Sequence, residues 1–306
     1  MARFYMAVGI AGAGKSTVYR EHYSFAEYVS SDAIREEVYG DVNDQSHNEE
    51  VFNLMSKRTR EFLKNGADVF YDATNISSKR RMGFLRELSK IPNVQKICVL
   101  VVPPFEVVKE QNANRERKVP EYVLERMYRN FEMPHESEGW DEIEVFGNQR
   151  NYEYLFKEHI AAMNNPHDNP HHSATIGDHM HLAGEYIREH FKNELASPDR
   201  DVHHPAEMMV LAADFHDIGK PYCKVYHNAK GEPTKDAHYY NHEKVGSYIY
   251  ISHSTGDEDD IWIANLIAHH MDYFKGEKYM EKVRARFGEW FMKDLDVLHR
   301  ADLAAH

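Results

Sequence analysis

Short apolar runs alternate with amphipathic stretches through the first half of the chain. The apolar runs have the length of strands, at 4–10, 26–30, 68–72, 95–102 and 142–146. The stretches between them repeat their apolar residues at helical spacing, over 15–23, 47–64, 79–90, 106–114 and 121–132. Strands that alternate with helices predict an α/β domain, a parallel sheet with helices on both faces.

The second half has no comparable series of strands. Its apolar residues recur at helical spacing in several segments, which predicts an all-α domain. A turn-rich stretch at 164–170, containing Pro166 and Pro170, marks where that domain begins. The pattern predicts a first domain over 1–150, a connecting helix or linker over 151–165, and a second domain over 166–306.

The composition places the chain among globular proteins. It has 306 residues, of which 42% are hydrophobic and 28% charged. The longest apolar runs fall short of the ~20 residues that span a bilayer, and the N-terminus lacks the pattern of a signal peptide. Only two cysteines are present, which excludes a disulfide framework and a four-cysteine zinc site. We expect no membrane partner and a cytoplasmic location, in a bacterial or phage-infected cell.

Charge and histidine separate the two halves. The net charge of −13 argues against non-specific coating of nucleic acid but leaves room for a local binding site. Of the 21 histidines, three lie in residues 1–150 and 18 in residues 151–306, where 26 acidic side chains face 16 basic ones. An acidic, histidine-rich half indicates metal chemistry that the first half does not share.

Residues 9–16 form a phosphate-binding motif. They fit G-x-x-x-x-G-K-[ST] between an apolar strand and a helix. Glycines let backbone N–H groups surround phosphates, a lysine reaches the β and γ oxygens, and a serine hydroxyl binds Mg²⁺. A glycine-rich turn without nucleotide is the alternative. We expect ATP with Mg²⁺ to contact Gly9, Gly12, Ala13, Gly14, Lys15, Ser16 and Thr17, with Ser16 on the metal.

A phosphate acceptor needs further groups at the same sheet edge. Asp32 follows the second strand and can accept the proton of an attacking hydroxyl, or alternatively cap a helix. Arg35 lies one helical turn further on, where it can hold an acceptor phosphate. Asp72 ends the third strand and can support Mg²⁺. Arg115 and Arg117, in a basic stretch between two helices, can clamp the transferring phosphate, or simply form a solvated loop.

These motifs resemble those of the phage-type 5′-OH polynucleotide kinases. GIAGAGKST, SSDAIR, DATN with the basic residues after it, and NANRERKVPEYVLERM occur in that family's order across residues 3–147. The resemblance implies that Asp32 is the general base, that Arg35 contacts the acceptor phosphate, and that Arg115 and Arg117 are lid arginines. Ser31 departs from the family pattern, which has a basic residue there.

The second half carries a series of metal-ligand candidates. His216 and Asp217 are adjacent in FHDIGK, and such a pair suits Mn, Fe, Ni, Zn or Mg. One pair alone is weak evidence, but further candidates lie on separate predicted helices or helix ends. They are His179, His242, His269, His270 and Asp302. His181 is the nearest rival of His179, two residues away on a different helix face.

The order H…HD…H…HH…D resembles the HD-domain metal phosphohydrolases across residues 166–306. The resemblance implies His179, His216, Asp217 and Asp302 around one divalent transition metal ion. His242 with His269 or His270 would serve a second ion, and Lys220 would neutralise phosphate charge.

Together the two resemblances suggest a bifunctional enzyme that heals nucleic-acid ends. It would phosphorylate 5′-OH ends of RNA or DNA from ATP and remove a 3′-phosphate or 2′,3′-cyclic phosphate, working with a separate ligase. Two alternatives stay open. One is a small-molecule kinase fused to a (deoxy)nucleotide phosphohydrolase, and the other is a non-catalytic nucleotide-sensing switch.

Overall fold

The computed structural model describes residues 1–170, 173–191 and 206–305. Its contacts divide the chain into two compact units. The first comprises Met1–Met127 and Pro134–Gly147, and the second comprises Tyr128–Met133 and Asn148–His306.

Five parallel strands form the sheet of the first unit, as the alternating pattern predicts. They are β1 (Ala2–Val8), β2 (Glu27–Ser30), β3 (Val69–Asp72), β4 (Val94–Val101) and β5 (Glu142–Phe146), in the spatial order β2-β3-β1-β4-β5. Strand β1 is buried at all but one position, and the last five residues of β4 are buried. Helices on both faces explain why these two strands are continuous apolar runs rather than alternating ones.

Helices connect these strands. They are α1 (Lys15–Val18), α2 (Ser31–Tyr39), α3 (Asn48–Lys64), α4 (Ser78–Leu88), α5 (Phe105–Asn114) and α6 (Glu121–Arg129). The apolar pattern does not predict α2, because the helix is short and largely polar. Its start depends on a cap instead: the Ser30 side chain accepts a hydrogen bond from the Ala33 N–H at 3.4 Å. Asp32 therefore lies in the first turn of α2 and is not its cap.

The second unit is mainly helical. Its helices are α7 (Tyr152–Ala162), α8 (Ile176–His190), α9 (Ala206–Phe215), α10 (Lys220–Cys223), α11 (His242–His253), α12 (Glu258–His269) and α13 (Glu277–Ala304). The segment that we treated as a connection, α7, packs against α8 inside this unit. Helix α13 is kinked at Gly288, whose φ of 83° is not helical.

A β-hairpin corrects the all-α expectation for the second unit. Strands β6 (Lys224–His227) and β7 (Pro233–Tyr239) pair antiparallel. Gly231 has a φ of 82° in the turn between them, where the Asn228 side chain also accepts backbone hydrogen bonds. The strands are short and polar, so hydrophobic periodicity does not identify them.

Within the described residues, no helix is both long and apolar enough to cross a bilayer.

Candidate active sites

The phosphate-binding motif forms a backbone cradle between β1 and α1. Gly12 and Gly14 have φ values of 84° and 96°, which favour glycine. A Cβ atom on Gly9 would lie 2.5 Å from the Val101 carbonyl oxygen, so a side chain does not fit there either. Each of the three glycines thus has a steric reason to be a glycine. Ala13, Lys15, Ser16 and Thr17 complete the loop and the first turn of α1.

Lys15 and Ser16 each have a partner within the protein. Lys15 is buried, and its Nζ donates to the carbonyl oxygens of Gly9 and Ile10 at 3.1 and 2.9 Å. Burial lowers the pKa of this ammonium group, and the Asp72 carboxylate opposes that effect. The Ser16 hydroxyl donates to Asp72 Oδ2 at 2.9 Å. A hydroxyl beside a carboxylate, below a cradle of N–H groups, is a donor set that fits Mg²⁺ with nucleotide phosphates.

Asp32 lies in the same cavity, between two arginines. Arg117 Nη1 is 2.8 Å from Asp32 Oδ2, and Arg35 Nη1 is 3.2 Å from Oδ1. The cavity has a volume of about 2050 Å³ and is lined by both the cradle and these three residues. Arg115 is exposed at its rim. The structure therefore brings the nucleotide-binding and acceptor candidates into one cavity.

Sequence reasoning missed several residues that hold this site. Tyr28 donates to Asp72 Oδ2 at 2.6 Å, and Asn48 Oδ1 accepts from Arg35 Nη2 at 2.6 Å. The Asn112 side chain pairs with both the N–H and the carbonyl of Val119, at 2.9 Å each, and so closes the basic loop. No sequence pattern identifies these residues, because their partners lie 7 to 44 positions away.

Arg81 also differs from its basic neighbours. It is 1% exposed and forms a two-pronged ion pair with Glu138, at 2.7 and 2.6 Å. It also donates to the Asn75 carbonyl at 2.9 Å, in the turn after β3. Arg81 thus supports the cavity wall from within.

In the second unit, six side chains from separate elements converge. His179 lies on α8, His216 and Asp217 follow α9, His242 begins α11, His270 follows α12, and Asp302 lies on α13. The Nε2 atoms of His179 and His216 are 3.2 Å apart, as are those of His242 and His270. Asp302 Oδ1 lies 2.9 Å from His179 Nε2. All six side chains are buried.

Backbone carbonyls orient the four imidazoles. The Nδ1 atoms of His179, His216, His242 and His270 lie 2.6, 2.7, 2.7 and 2.8 Å from the carbonyl oxygens of Ala305, Ala213, Tyr239 and Ile267. A carbonyl only accepts, so each Nδ1 carries a proton and donates it. Each Nε2 therefore points a lone pair or a second proton into the cluster. This is the arrangement of metal-binding histidines, whose outer nitrogen is fixed by a hydrogen bond.

Asp217 lies between the two histidine pairs. Its Oδ2 is 3.4 and 3.6 Å from the Nε2 atoms of His216 and His179, and its Oδ1 is 3.2 and 3.6 Å from those of His242 and His270. The described structure gives neither oxygen a well-aligned hydrogen bond. A buried carboxylate in that condition needs positive charge beside it, and the Lys220 ammonium group, 2.5 Å from Oδ2, supplies part of that charge.

The pKa shifts of His216 and Asp217 show how charge is distributed in the cluster. Burial opposes a charged ring, but Asp217 and Asp302 outweigh it and raise the pKa of His216 to about 10. Burial likewise opposes ionised Asp217, but Lys220 and His216 hold its pKa well below the usual range. The two carboxylates therefore demand a positive charge beside them. His179, His216 and Asp217 form one possible ligand group and Asp217, His242 and His270 a second, so the residues fit one or two metal ions.

The structure does not bring His269, the other candidate of the His269-His270 pair, into this cluster. Its Nδ1 lies 2.5 Å from Asp272 Oδ2, and its ring packs against Phe287 with centroids 4.6 Å apart. Helix α12 ends at His269, so the following turn directs His270 inward instead. His181, the rival of His179, is exposed.

Lys220 reaches the cluster with a partner that the sequence did not reveal. Its Nζ is 2.5 Å from Asp217 Oδ2 and 3.2 Å from Nε2 of His167. Burial and the Lys220 ammonium lower the pKa of His167 to about 4, so this ring is neutral. His167 lies in the turn-rich stretch before α8, and its position there carries no motif that would have identified it.

Comparisons with known proteins find one matching family model and a curated relative. Residues 5–134 match the family model described as an AAA domain. The L-seryl-tRNA(Sec) kinase of Methanococcus maripaludis is 26% identical over 113 residues, which cover 37% of this chain and 43% of that protein. The chain thus spans less than half the length of this curated relative.

Solved structures resemble the chain only loosely. A sugar kinase from Janibacter sp. HTCC2649 is 15% identical, with 53% of this chain and 94% of that chain covered and a TM-score of 0.37. A Pnkp1/Rnl/Hen1 complex is 20% identical, with 39% and 41% covered and a TM-score of 0.33. Neither superposition is close enough to support a functional argument.

The family match, the parallel sheet and the intact cradle together define the class of the first unit. It is a P-loop domain that is similar in sequence to a kinase, and its cradle suits the phosphates of a nucleotide with Mg²⁺.

Proposed function

We propose that this chain heals polynucleotide ends, with a 5′-hydroxyl kinase in the first unit and a metal-dependent phosphoesterase in the second. The kinase half rests chiefly on one observation: Asp32 faces the phosphate cradle's cavity, with a guanidinium group on each carboxylate oxygen. The curated relative is itself a kinase, named for L-seryl-tRNA(Sec).

In the kinase half, Asp32 accepts the proton of the 5′-hydroxyl while that oxygen bonds to the γ-phosphorus of ATP. The bond from the γ-phosphorus to the β,γ-bridging oxygen breaks, and ADP leaves. Lys15 exchanges the Gly9 and Ile10 carbonyls for phosphate oxygens. Arg117 exchanges Asp32 for the transferring phosphoryl group, because a phosphate competes well for a guanidinium. Arg35, which Asn48 also holds, stays to bind the acceptor's phosphate.

The phosphoesterase half rests on Asp217, whose two oxygens face two pairs of inward-pointing imidazoles. When bound there, one or two divalent ions supply Lewis-acid polarisation of the phosphoester and activation of water. His179, His216, Asp217 and Asp302 would hold the first ion, and Asp217, His242 and His270 the second. Lys220 binds a phosphoryl oxygen. Water adds to phosphorus, one P–O ester bond breaks, and the departing oxygen takes a proton from the water.

The test is incubation of the full chain with ATP, Mg²⁺ and Mn²⁺ and an RNA oligomer that carries a 5′-hydroxyl and a 2′,3′-cyclic phosphate. We expect a 5′-phosphate on one end and loss of the cyclic phosphate on the other, resolved separately. A DNA oligomer with a 5′-hydroxyl and a 3′-phosphate is the matched comparison. Transfer to free nucleosides or sugars, with both oligomers unmodified, would replace the end-healing proposal by the small-molecule alternative.

A further inference from the structure

Lys220 is held by more than its ion pair with Asp217. An ammonium group has three N–H donors and accepts nothing, so its direction depends on where its acceptors lie. In the described part of the chain, its Nζ forms an ion pair with Asp217 Oδ2 at 2.5 Å and a hydrogen bond with His167 Nε2 at 3.2 Å. These two partners together restrict the direction in which the ammonium group points.

His167 offers Lys220 an acceptor of fixed orientation. Its Nδ1 lies 2.9 Å from the Ala174 carbonyl oxygen, which only accepts. Nδ1 therefore carries the proton, and Nε2 presents its lone pair to the ammonium group. The ring is 1% exposed, so water does not compete for that lone pair.

The β-hairpin fixes the backbone around His167. The Tyr239 hydroxyl donates to the His167 carbonyl oxygen, and the Ala237 N–H donates to the Asp168 carbonyl at 2.9 Å. The Tyr239 ring also lies 5.6 Å from Lys220 Nζ, at cation–π distance. The hairpin, His167 and Lys220 thus form one connected support beside the cluster.

We propose that His167 is a positioning residue, which directs the Lys220 ammonium group toward a phosphoryl oxygen bound at the cluster. The role of Lys220 in this inference rests on the proposed phosphoesterase function. The contact between His167 and Lys220 does not, and the two are tested separately.

The test uses a matched pair of variants in the full, Mn²⁺-loaded chain. In His167→Gln the side-chain oxygen can occupy the place of Nε2 and still accept from Lys220. In His167→Asn the amide can replace Nδ1 and still donate to Ala174, but nothing reaches Lys220. For a 3′-phosphorylated oligonucleotide we expect kcat/KM to fall roughly tenfold in His167→Asn and by less than about threefold in His167→Gln. Bound Mn²⁺ should be unchanged in both.

A double-mutant cycle separates positioning from general support of the fold. In the Lys220→Ala background, His167→Asn should have almost no further effect, because the group that it positions is gone. His159→Gln is the control, since His159 is a buried histidine of the same unit that contacts the Gly177 carbonyl instead. Independent losses in the double variant, or equal losses in His167→Gln and His167→Asn, would overturn the proposal.

The contact between His167 and Lys220 can also be tested by NMR, which does not require that the protein hydrolyse an ester. The side-chain ammonium resonance of Lys220 should be visible by ¹H–¹⁵N NMR in the wild type and His167→Gln, and lost to fast exchange in His167→Asn. If that pattern holds while the wild type leaves 3′ ends intact, the phosphoesterase fails but the positioning contact stands. A Lys220 resonance that is the same in all variants would contradict the contact itself.

Discussion

The two candidate sites differ in how the protein satisfies them when no ligand is bound. In the cavity of the first unit, Lys15 donates hydrogen bonds to two backbone carbonyls and Ser16 donates one to Asp72. Asp32 accepts hydrogen bonds from two arginines. In the histidine cluster, Nε2 atoms face each other at 3.2 Å around a carboxylate without an aligned hydrogen bond. The first site can exchange internal partners for ligand groups. The second site gathers four Nε2 atoms around two carboxylates, as a bound metal ion requires.

The largest effect should come from the proposed base. Asp32→Asn removes the proton acceptor but leaves the cradle and its lysine intact, so turnover should fall by about 10²–10⁴-fold. ATP affinity should change little, because Asp32 is not part of the cradle. Single-turnover transfer and equilibrium binding of ATP measure the two quantities. A rate near that of the wild type would mean that Asp32 only orders the two arginines.

Removal of metal should separate the two units by stability. Chelation should lower the midpoint of unfolding of the second unit. The free energy of stabilisation that is lost is about 2.7 kcal/mol where the metal had been present at 100 times its Kd. The first unit should be unaffected, since its groups have internal partners. Calorimetry with and without chelator measures this, and Asp217→Ala should abolish the difference. Equal shifts in both units would mean that the metal stabilises them alike.

Metal affinity should rise with pH. Since Asp217 and Asp302 raise the pKa of His216 to about 10, its ring holds a proton at neutral pH that a metal ion must displace. The affinity for Mn²⁺ should therefore increase by up to about tenfold per pH unit below that value. Titration calorimetry in two buffers of different ionisation enthalpy would detect the released proton. An affinity that is flat between pH 6 and 8 would exclude a charged His216.

The smallest effect distinguishes two neighbouring histidines. His270→Ala removes an inward-pointing ligand and should lower the affinity for metal by about 10–100-fold, which is the loss caused by removing even an outer contact of a metal site. His269→Ala removes a ring that is paired with Asp272 and should leave the affinity within about threefold of the wild type. Metal analysis of the two variants after dialysis gives the answer. The opposite order would mean that the turn after α12 rearranges when metal binds.

The two sites also differ in how far the sequence could predict them. The cradle is a contiguous motif whose glycines, lysine and serine all act locally, so residues 9–16 could be identified directly. The cluster is built from segments that are distant in sequence. Its histidines and carboxylates nevertheless occur in a recognisable order, so the five helices or helix ends that carry them could be identified. The choice between His269 and His270 could not be made, because it depends on where α12 ends.

The residues that were missed depend on tertiary contacts. Tyr28, Asn48 and Asn112 are ordinary polar residues until the fold brings them to Asp72, Arg35 and Val119. His167 and the hairpin are polar and turn-rich, so hydrophobic periodicity does not distinguish them from a loop. Helix α2 begins at a serine cap rather than at an apolar pattern. In each case a hydrogen bond between distant or non-periodic positions decides the structure.

The two units should carry sites that act independently of each other. The most direct test measures both ends of the same RNA oligomer with Lys15→Ala and with Asp217→Ala. We predict that Lys15→Ala loses 5′ transfer by at least about 10²-fold and keeps its 3′ activity, and that Asp217→Ala does the reverse. Loss of both activities from either substitution, in a protein that remains folded, would contradict the account and indicate one shared site.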